Sequence, residues 1–324
     1  MGWGLALSGG GAKGAAHVGA MRALQEAGLQ WSMIGGASAG AIVAGFYAAG
    51  MDVPALEDTM QRMMARGRRW LDPSYLGVLR AGAQLITGRE ITLSGLLKGN
   101  RLERFFRRET FGMPLNRARL PVCLTAVDIN APKLVLFSSH DIPGQSEDTQ
   151  VLTHPTIYEG IRASIAIPVS FEPLMAEGMR LVDGGVWEAM PVSALYGMGA
   201  EHVIAINVGY SGESRPKVDN LFEIASQSID LMGFELARCR SQKADVRIDI
   251  PTEGVGVFDF NKMAEIMEVG YETTRKALPR IRMALSARAS ARAQAAKRPL
   301  IMPLQPRTRL QPPAAAPRDR RPVG

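Results

Sequence analysis

The amino-acid sequence predicts an α/β fold in which helices cover a largely parallel sheet. Three observations carry this. Short apolar runs alternate with longer helical patterns through the first ninety residues, and glycine stands at both of the first two strand-to-helix turns. The chain has 324 residues, 46% hydrophobic and 21% charged, which is ample for a large buried core.

Trp3–Ser8 reads as the first strand. After the run Gly9-Gly10-Gly11, the residues Val18, Met21, Leu24 and Ala27 recur at helical spacing, so a helix is expected over Ala15–Ala27, stopping at Gly28. Met33–Gly35 is the end of a second strand and Ala39–Ala49 a second helix, closed by Gly50. The charge-free stretch Trp31–Met51 has the length of a membrane span, but its five glycines and strand-like start assign it to a buried strand, turn and helix. Pro121–Ile129 and Lys133–Ser139 read as β segments around the turn Asn130-Ala131-Pro132, and Arg180–Val182 and His202–Val208 as buried strands. Helices are expected at Thr156–Ser164, Asn220–Ser241 and Asn261–Ala287. Residues 66–111 interleave Trp70, Tyr75, Phe105 and Phe106 with arginines, as an interface-seeking cap or an ordinary helical insertion with a solvated basic face. After about Ala289 the chain is rich in proline, alanine and arginine, and residues 288–324 are expected to be a disordered basic tail.

Composition removes several functional classes. The two cysteines, Cys123 and Cys239, are too far apart for a C-x-x-C redox motif or a zinc cluster. His17, His140, His154 and His202 have no metal-ligand spacing with one another, so no metal is expected. The net charge of +7 is segregated. From Arg62 to Arg108 eleven basic residues face three acids, and from Ser286 onward nine face one. Two basic segments on an otherwise acidic chain suit peripheral contact with an anionic membrane better than tracking of a nucleic-acid backbone, or else are simply solvated. Met1–Gly10 has no basic n-region, which makes the cytoplasm the expected compartment.

Two glycine-rich turns carry the chemistry. Gly36-Ala37-Ser38-Ala39-Gly40 is a G-x-S-x-G sequence between a predicted strand and helix, the setting of a nucleophile elbow; glycine, alanine and serine are also ordinary turn residues. Gly9-Gly10-Gly11-Ala12-Lys13-Gly14 fits two chemistries. As G-x-G-x-x-G it matches a dinucleotide fingerprint, although the second strand runs into Gly35-Gly36-Ala37-Ser38 without the acid such sites use on ribose. The same loop suits an oxyanion hole built from amides that no side chain shields. Gly14 after Lys13 excludes a Walker A loop. Lys13 is either a source of positive potential near the oxyanion or a solvated helix-start residue. Asp183, ending an apolar strand before Gly184-Gly185, stands where an active-site carboxylate emerges, or in a plain Asp-Gly turn. Met51, Met60, Met63 and Met64 either line an adaptable acyl channel or pack the core.

Taken in order, Gly9 to Gly14, Gly36 to Gly40 and Asp183-Gly184-Gly185 resemble the patatin-like phospholipases, especially the bacterial branch similar to neuropathy target esterase. Arg162-Ala163-Ser164-Ile165-Ala166-Ile167-Pro168 and the run from Val182 through Pro191-Val192 to Asn207 extend the resemblance across most of Leu5 to Val208. Relatives often carry asparagine before the proline where this chain has Glu188-Ala189-Met190-Pro191. The resemblance implies a three-layer α/β/α sandwich over residues 1–287 and a cofactor-free Ser-Asp dyad of Ser38 and Asp183. It implies an oxyanion loop of Gly9, Gly10, Gly11 and Ala12, with Lys13, Gly14, Gly36, Gly40, Gly184 and Gly185 as the supporting motif. The implied substrate is a phospholipid or lysophospholipid ester, and a carboxylate base makes a water-poor site necessary. A dinucleotide-binding protein and a catalytically silent regulatory member of the same fold are the competing readings.

Overall fold

The computed structural model describes residues 2–90, 92–209 and 244–296, together with 224, 227–229, 231–233, 235 and 236; past 286 it describes backbone only. The chain divides into a body ending at Leu285 and a terminal unit from Ser286.

The described strands are β1 (Trp3–Leu7), β2 (Met33–Ala37), β3 (Val122–Asp128), β4 (Lys133–Ser138), β5 (Thr149–Leu152), β6 (Leu174–Ala176), β7 (Met179–Asp183), β8 (His202–Asn207) and β9 (Val246–Asp249). They form one sheet in the order β5-β4-β3-β2-β1-β8-β9, with β7 joined to β3 and β6 to β7. β9, β8, β1, β2 and β3 run parallel, whereas β3 pairs antiparallel with both β4 and β7. The sheet is therefore parallel at its centre and mixed on one side.

Period-two alternation builds two cores on this sheet. Leu5, Leu7, Ile204 and Ile206 face the larger one, which takes in α1 (Ala15–Glu26), α2 (Ala39–Ala48), α3 (Val53–Arg66), α5 (Asn100–Glu109) and α6 (Ile157–Ser164). Ala6, Val203 and Ala205 point the other way, against Val192 and Leu195 of α7 (Val192–Gly197). Helices on both faces make the three layers. Trp31–Met51 lies within them as β2 and the largely buried α2. Among the described residues no helix is long and apolar enough to cross a membrane.

Several elements depart from the sequence expectations. α3 begins where the Asp52 carboxylate caps the Ala55 amide at 2.9 Å and proline follows in the first turn. The stretch 66–111 contains α4 (Tyr75–Ile86) as well as α5. The helix expected to end at Ala287 runs on as α8 (Met263–Ala296), into residues assigned to a disordered tail. Its sequence there, Ser-Ala-Arg-Ala-Ser-Ala-Arg-Ala, is made largely of strong helix formers, which the compositional argument for disorder passes over. Most of the Asn220–Ser241 expectation, Cys239 and residues 297–324 lie outside the described residues.

Candidate active site

Sheet register brings the two motif residues together. On β3, Thr125 lies opposite Ala37, the last residue of β2, and the next residue, Ala126, lies opposite Asp183, the last residue of β7. β2 runs parallel to β3 and β7 antiparallel, so the two strands approach each other end to end along one edge of β3. Ser38 leaves the tip of one and Asp183 closes the tip of the other. Both are buried and line the same cavity.

Ser38 has φ 51°, in the left-handed region, at the turn into α2. Glycines let the turn close. A Cβ at Gly36 would strike the Gly40 backbone, and one at Gly40 would strike the Leu7 and Ser8 carbonyl groups. The Gly40 amide donates to the Ser8 carbonyl at 3.1 Å, clamping the elbow to the first glycine loop. A Cβ on Gly14 would lie 2.5 Å from that of Ala39, so the helix after the first loop can press against α2 only with glycine there. On the acid side, the Gly185 amide donates to Asp183 Oδ1 at 2.7 Å, and a Cβ on Gly184 would collide with Thr125.

One segment that carried no assigned role ties both residues down. The Ser38 amide donates to Ser164 Oγ at 2.8 Å, and the Asp183 amide donates to the Ala166 carbonyl at 3.0 Å. Ser164 ends α6 and is fully buried. The sequence signal was a serine in an otherwise apolar stretch, Ala163-Ser164-Ile165-Ala166.

The first glycine loop divides in two. The amides of Gly9, Gly10 and Gly11 donate to no acceptor among the described residues, and all three residues line the cavity with Ser38 and Asp183. Ala12 departs from the expectation: its amide donates to the Val257 carbonyl at 2.8 Å and is engaged. Lys13 is buried and lines the cavity, so it is not a solvated helix-start residue.

The loop is braced from beneath. Ser8 Oγ accepts the Val208 amide at 2.8 Å and donates to the Gly9 carbonyl at 3.0 Å. The Ser8 carbonyl lies 2.9 Å from His17 Nε2. Burial pushes the His17 imidazole down to about 4, against a weaker opposing effect of the Ser8 bond. At neutral pH it is therefore the neutral tautomer with Nε2–H donating to Ser8. The other histidines engage Asp245, Ser139 and Glu177, away from Ser38. The four histidines line neither cavity at Ser38. Burial also raises the Cys123 thiol far above its usual range, leaving it an inert core residue.

Ser38 stands at the junction of two cavities. One of them takes in the polar groups of Asp183, Lys13 and Asn207. The second is almost wholly apolar, walled by Ile42, Met60, Met63, Leu102, Phe171 and Phe258 among others. Met60 and Met63 thus both belong to the core and line a cavity, while Met51 and Met64 do not reach it.

Among known proteins, the chain is 27% identical over 309 residues to Lysophospholipase nte1 of Neurospora crassa, covering 86% of this chain and 18% of that protein. It is 27% identical over 209 residues to Neuropathy target esterase sws of Drosophila melanogaster, covering 64% of this chain and 13% of that one. The chain therefore spans less than a fifth of the length of these curated relatives. Among solved structures, VipD from Legionella pneumophila aligns with a TM-score of 0.46 and 18% identity, covering 86% of this chain and 67% of that one. The family model for patatin-like phospholipase matches residues 5–196, more than half of the sequence, and the chain belongs to that family.

Proposed function

We propose that the chain is a serine acyl hydrolase of lipid carboxylic esters, of phospholipid or lysophospholipid type, with Ser38 as nucleophile and Asp183 as its base. The observation that carries this reading is the meeting of β2 and β7 on β3, which leaves Ser38 and Asp183 on one cavity wall beside unengaged loop amides. Ser38 Oγ attacks the ester carbonyl carbon as Asp183 takes its proton, and the amides of Gly9 to Gly11 receive the developing oxyanion. Collapse of the tetrahedral intermediate breaks the bond to the alcohol, which leaves with the proton from Asp183. Water then attacks the acyl-serine as Asp183 accepts its proton, and collapse of the second intermediate returns that proton to Ser38 Oγ as the fatty acid departs. The apolar cavity suits the acyl chain, and the one that holds Lys13, Asp183 and Asn207 suits the head group, since the nucleophile lies where the two meet. The relatives' printed names, a lysophospholipase and an esterase, support the same substrate class.

The test is hydrolysis of a chromogenic medium-chain acyl ester in detergent micelles. Ser38→Ala is expected to abolish turnover and Asp183→Asn to lower it by at least a hundredfold. Full activity in either variant sinks the assignment. A fluorophosphonate probe should label the wild type and leave Ser38→Ala unlabelled.

A further inference from the structure

Residues 66–108 present two features that the hydrolytic site leaves unused. The first is a pocket of arginines. Arg66 ends α3 and Arg69 follows it, and Arg101, Arg104 and Arg108 share one face of α5; together they surround Trp70 and Phe105, whose ring centroids are 4.5 Å apart. The Arg66 guanidinium lies 4.6 Å over the Trp70 ring and that of Arg108 5.3 Å over Phe105. The acids nearby are already engaged, and of the pocket arginines only Arg108 takes one of them as an ion-pair partner among the described residues. Glu109 bonds Arg62 and Arg108, and Asp72 accepts the amides of Gly99 and Arg101. Glu103 lies 3.9 Å from buried Arg162. Arg66, Arg69 and Arg104 have no acidic partner among the described residues. Guanidinium groups gathered on an aromatic floor match the oxygens of a phosphate ester.

The second feature is α4, which the body leaves largely uncovered. Its twelve residues include one charge, Arg80, and none is buried. Tyr75, Leu76, Leu79, Leu85 and Ile86 are 70–88% exposed. An apolar surface of this size in water marks a contact.

The two features adjoin each other and the apolar cavity. Trp70 in the pocket floor is five residues before Tyr75, and Leu71 between them lines the cavity at Ser38. Ser74, at the start of α4, donates through Oγ to Glu172 at 2.6 Å, next to cavity-lining Phe171. The apolar helix thus rises from the rim of the cavity.

We infer that α4 and the arginine pocket together dock the protein onto an anionic lipid bilayer, α4 entering the acyl boundary while the arginines engage lipid phosphates. Charge complementarity selects this occupant. A second copy seated by two-fold symmetry on the same face would set arginine against arginine, whereas an anionic bilayer offers both the apolar layer and the phosphates. The choice of a bilayer rests on the lipid-ester reading, because α4 stands where an acyl chain would enter.

The experiment is sedimentation of the full chain with phosphatidylcholine vesicles, with and without one third phosphatidylglycerol, at low and high salt. Wild type should bind the mixed vesicles at least tenfold better, and salt should remove that preference. Leu76→Ser with Leu79→Ser, and separately Arg69→Gln with Arg104→Gln, should each cut binding to mixed vesicles at least tenfold, with hydrolysis of a soluble short-chain ester unchanged. Should a variant fail to fold, Tyr75→Trp should show added indole emission that brominated lipid in mixed vesicles quenches. Wild-type binding by both variants, absence of vesicle binding, added emission in Tyr75→Trp that brominated lipid leaves unquenched, or a change only in oligomeric state overturns the docking surface. Loss of soluble-ester hydrolysis in the wild type with vesicle binding as expected strikes the hydrolase reading and leaves the docking surface standing.

Discussion

Ser38 holds a backbone conformation that costs a serine on the order of 1–3 kcal/mol, so its surroundings must over-determine it. Ser164 is one of the groups that does so, and its removal leaves the buried Ser38 amide without an acceptor. Ser164→Ala is expected to lower stability by about 1–3 kcal/mol in urea unfolding and to reduce kcat with little change in KM. His17 makes a second prediction. Its native value of about 4 lies below the ordinary 6.5, so the unfolded chain takes up a proton that the native state refuses. The contribution of this group is constant above pH 6.5 and falls as pH drops toward 4, by about 3 kcal/mol across that window. Unfolding at pH 7 and pH 4.5 should show a larger loss for wild type than for His17→Gln. At this scale Ser38 and Asp183 were legible because each ends a strand beside glycine. Ser164 was not, because what makes it matter is an amide 126 positions earlier.

Among the elements, α1 and α8 cross at unusually close range. A Cβ on Gly19 would run into the Met267 carbonyl, and one on Gly270 into the Ala16 carbonyl. Gly270→Val should therefore lower stability by at least about 1–3 kcal/mol, read as a drop in Tm, while Gly28→Ala, whose Cβ would meet nothing, strains only its own φ. The first two strands, α1, α2, α6 and the body of α8 announced themselves by apolar period and by glycine or capping signals. α6, for example, begins with a full capping box of Thr156 and Glu159. β5, β6 and β9 did not, because each is only three or four residues long and owes its strand geometry to a partner.

At the level of the whole molecule, the apolar cavity is assembled from the first glycine loop, α2, α3, α5, residues 165–171 and residues 257–263. Filling it should restrict the acyl chain. Met60→Trp is expected to reduce kcat/KM for long-chain esters at least tenfold while sparing short-chain ones, measured over a chain-length series. A small fluorophosphonate needs little of the cavity's length, so labelling of Ser38 should persist.

What the sequence determined by itself was local: which segments carry an apolar period, which turns need glycine, and which serine and aspartate stand at strand ends. These follow from short-range sterics and hydrogen bonding, which a few adjacent residues settle. The tertiary structure decided that β7 meets β2 on the same edge of β3, that Ser164 and Ala166 hold the ends of both strands, and that the Ala12 amide belongs to Val257. It also decided that α4 is left largely uncovered beside a pocket of arginines. Those outcomes depend on register and packing between residues far apart in the chain, where a shift of one residue turns every side chain to the opposite face.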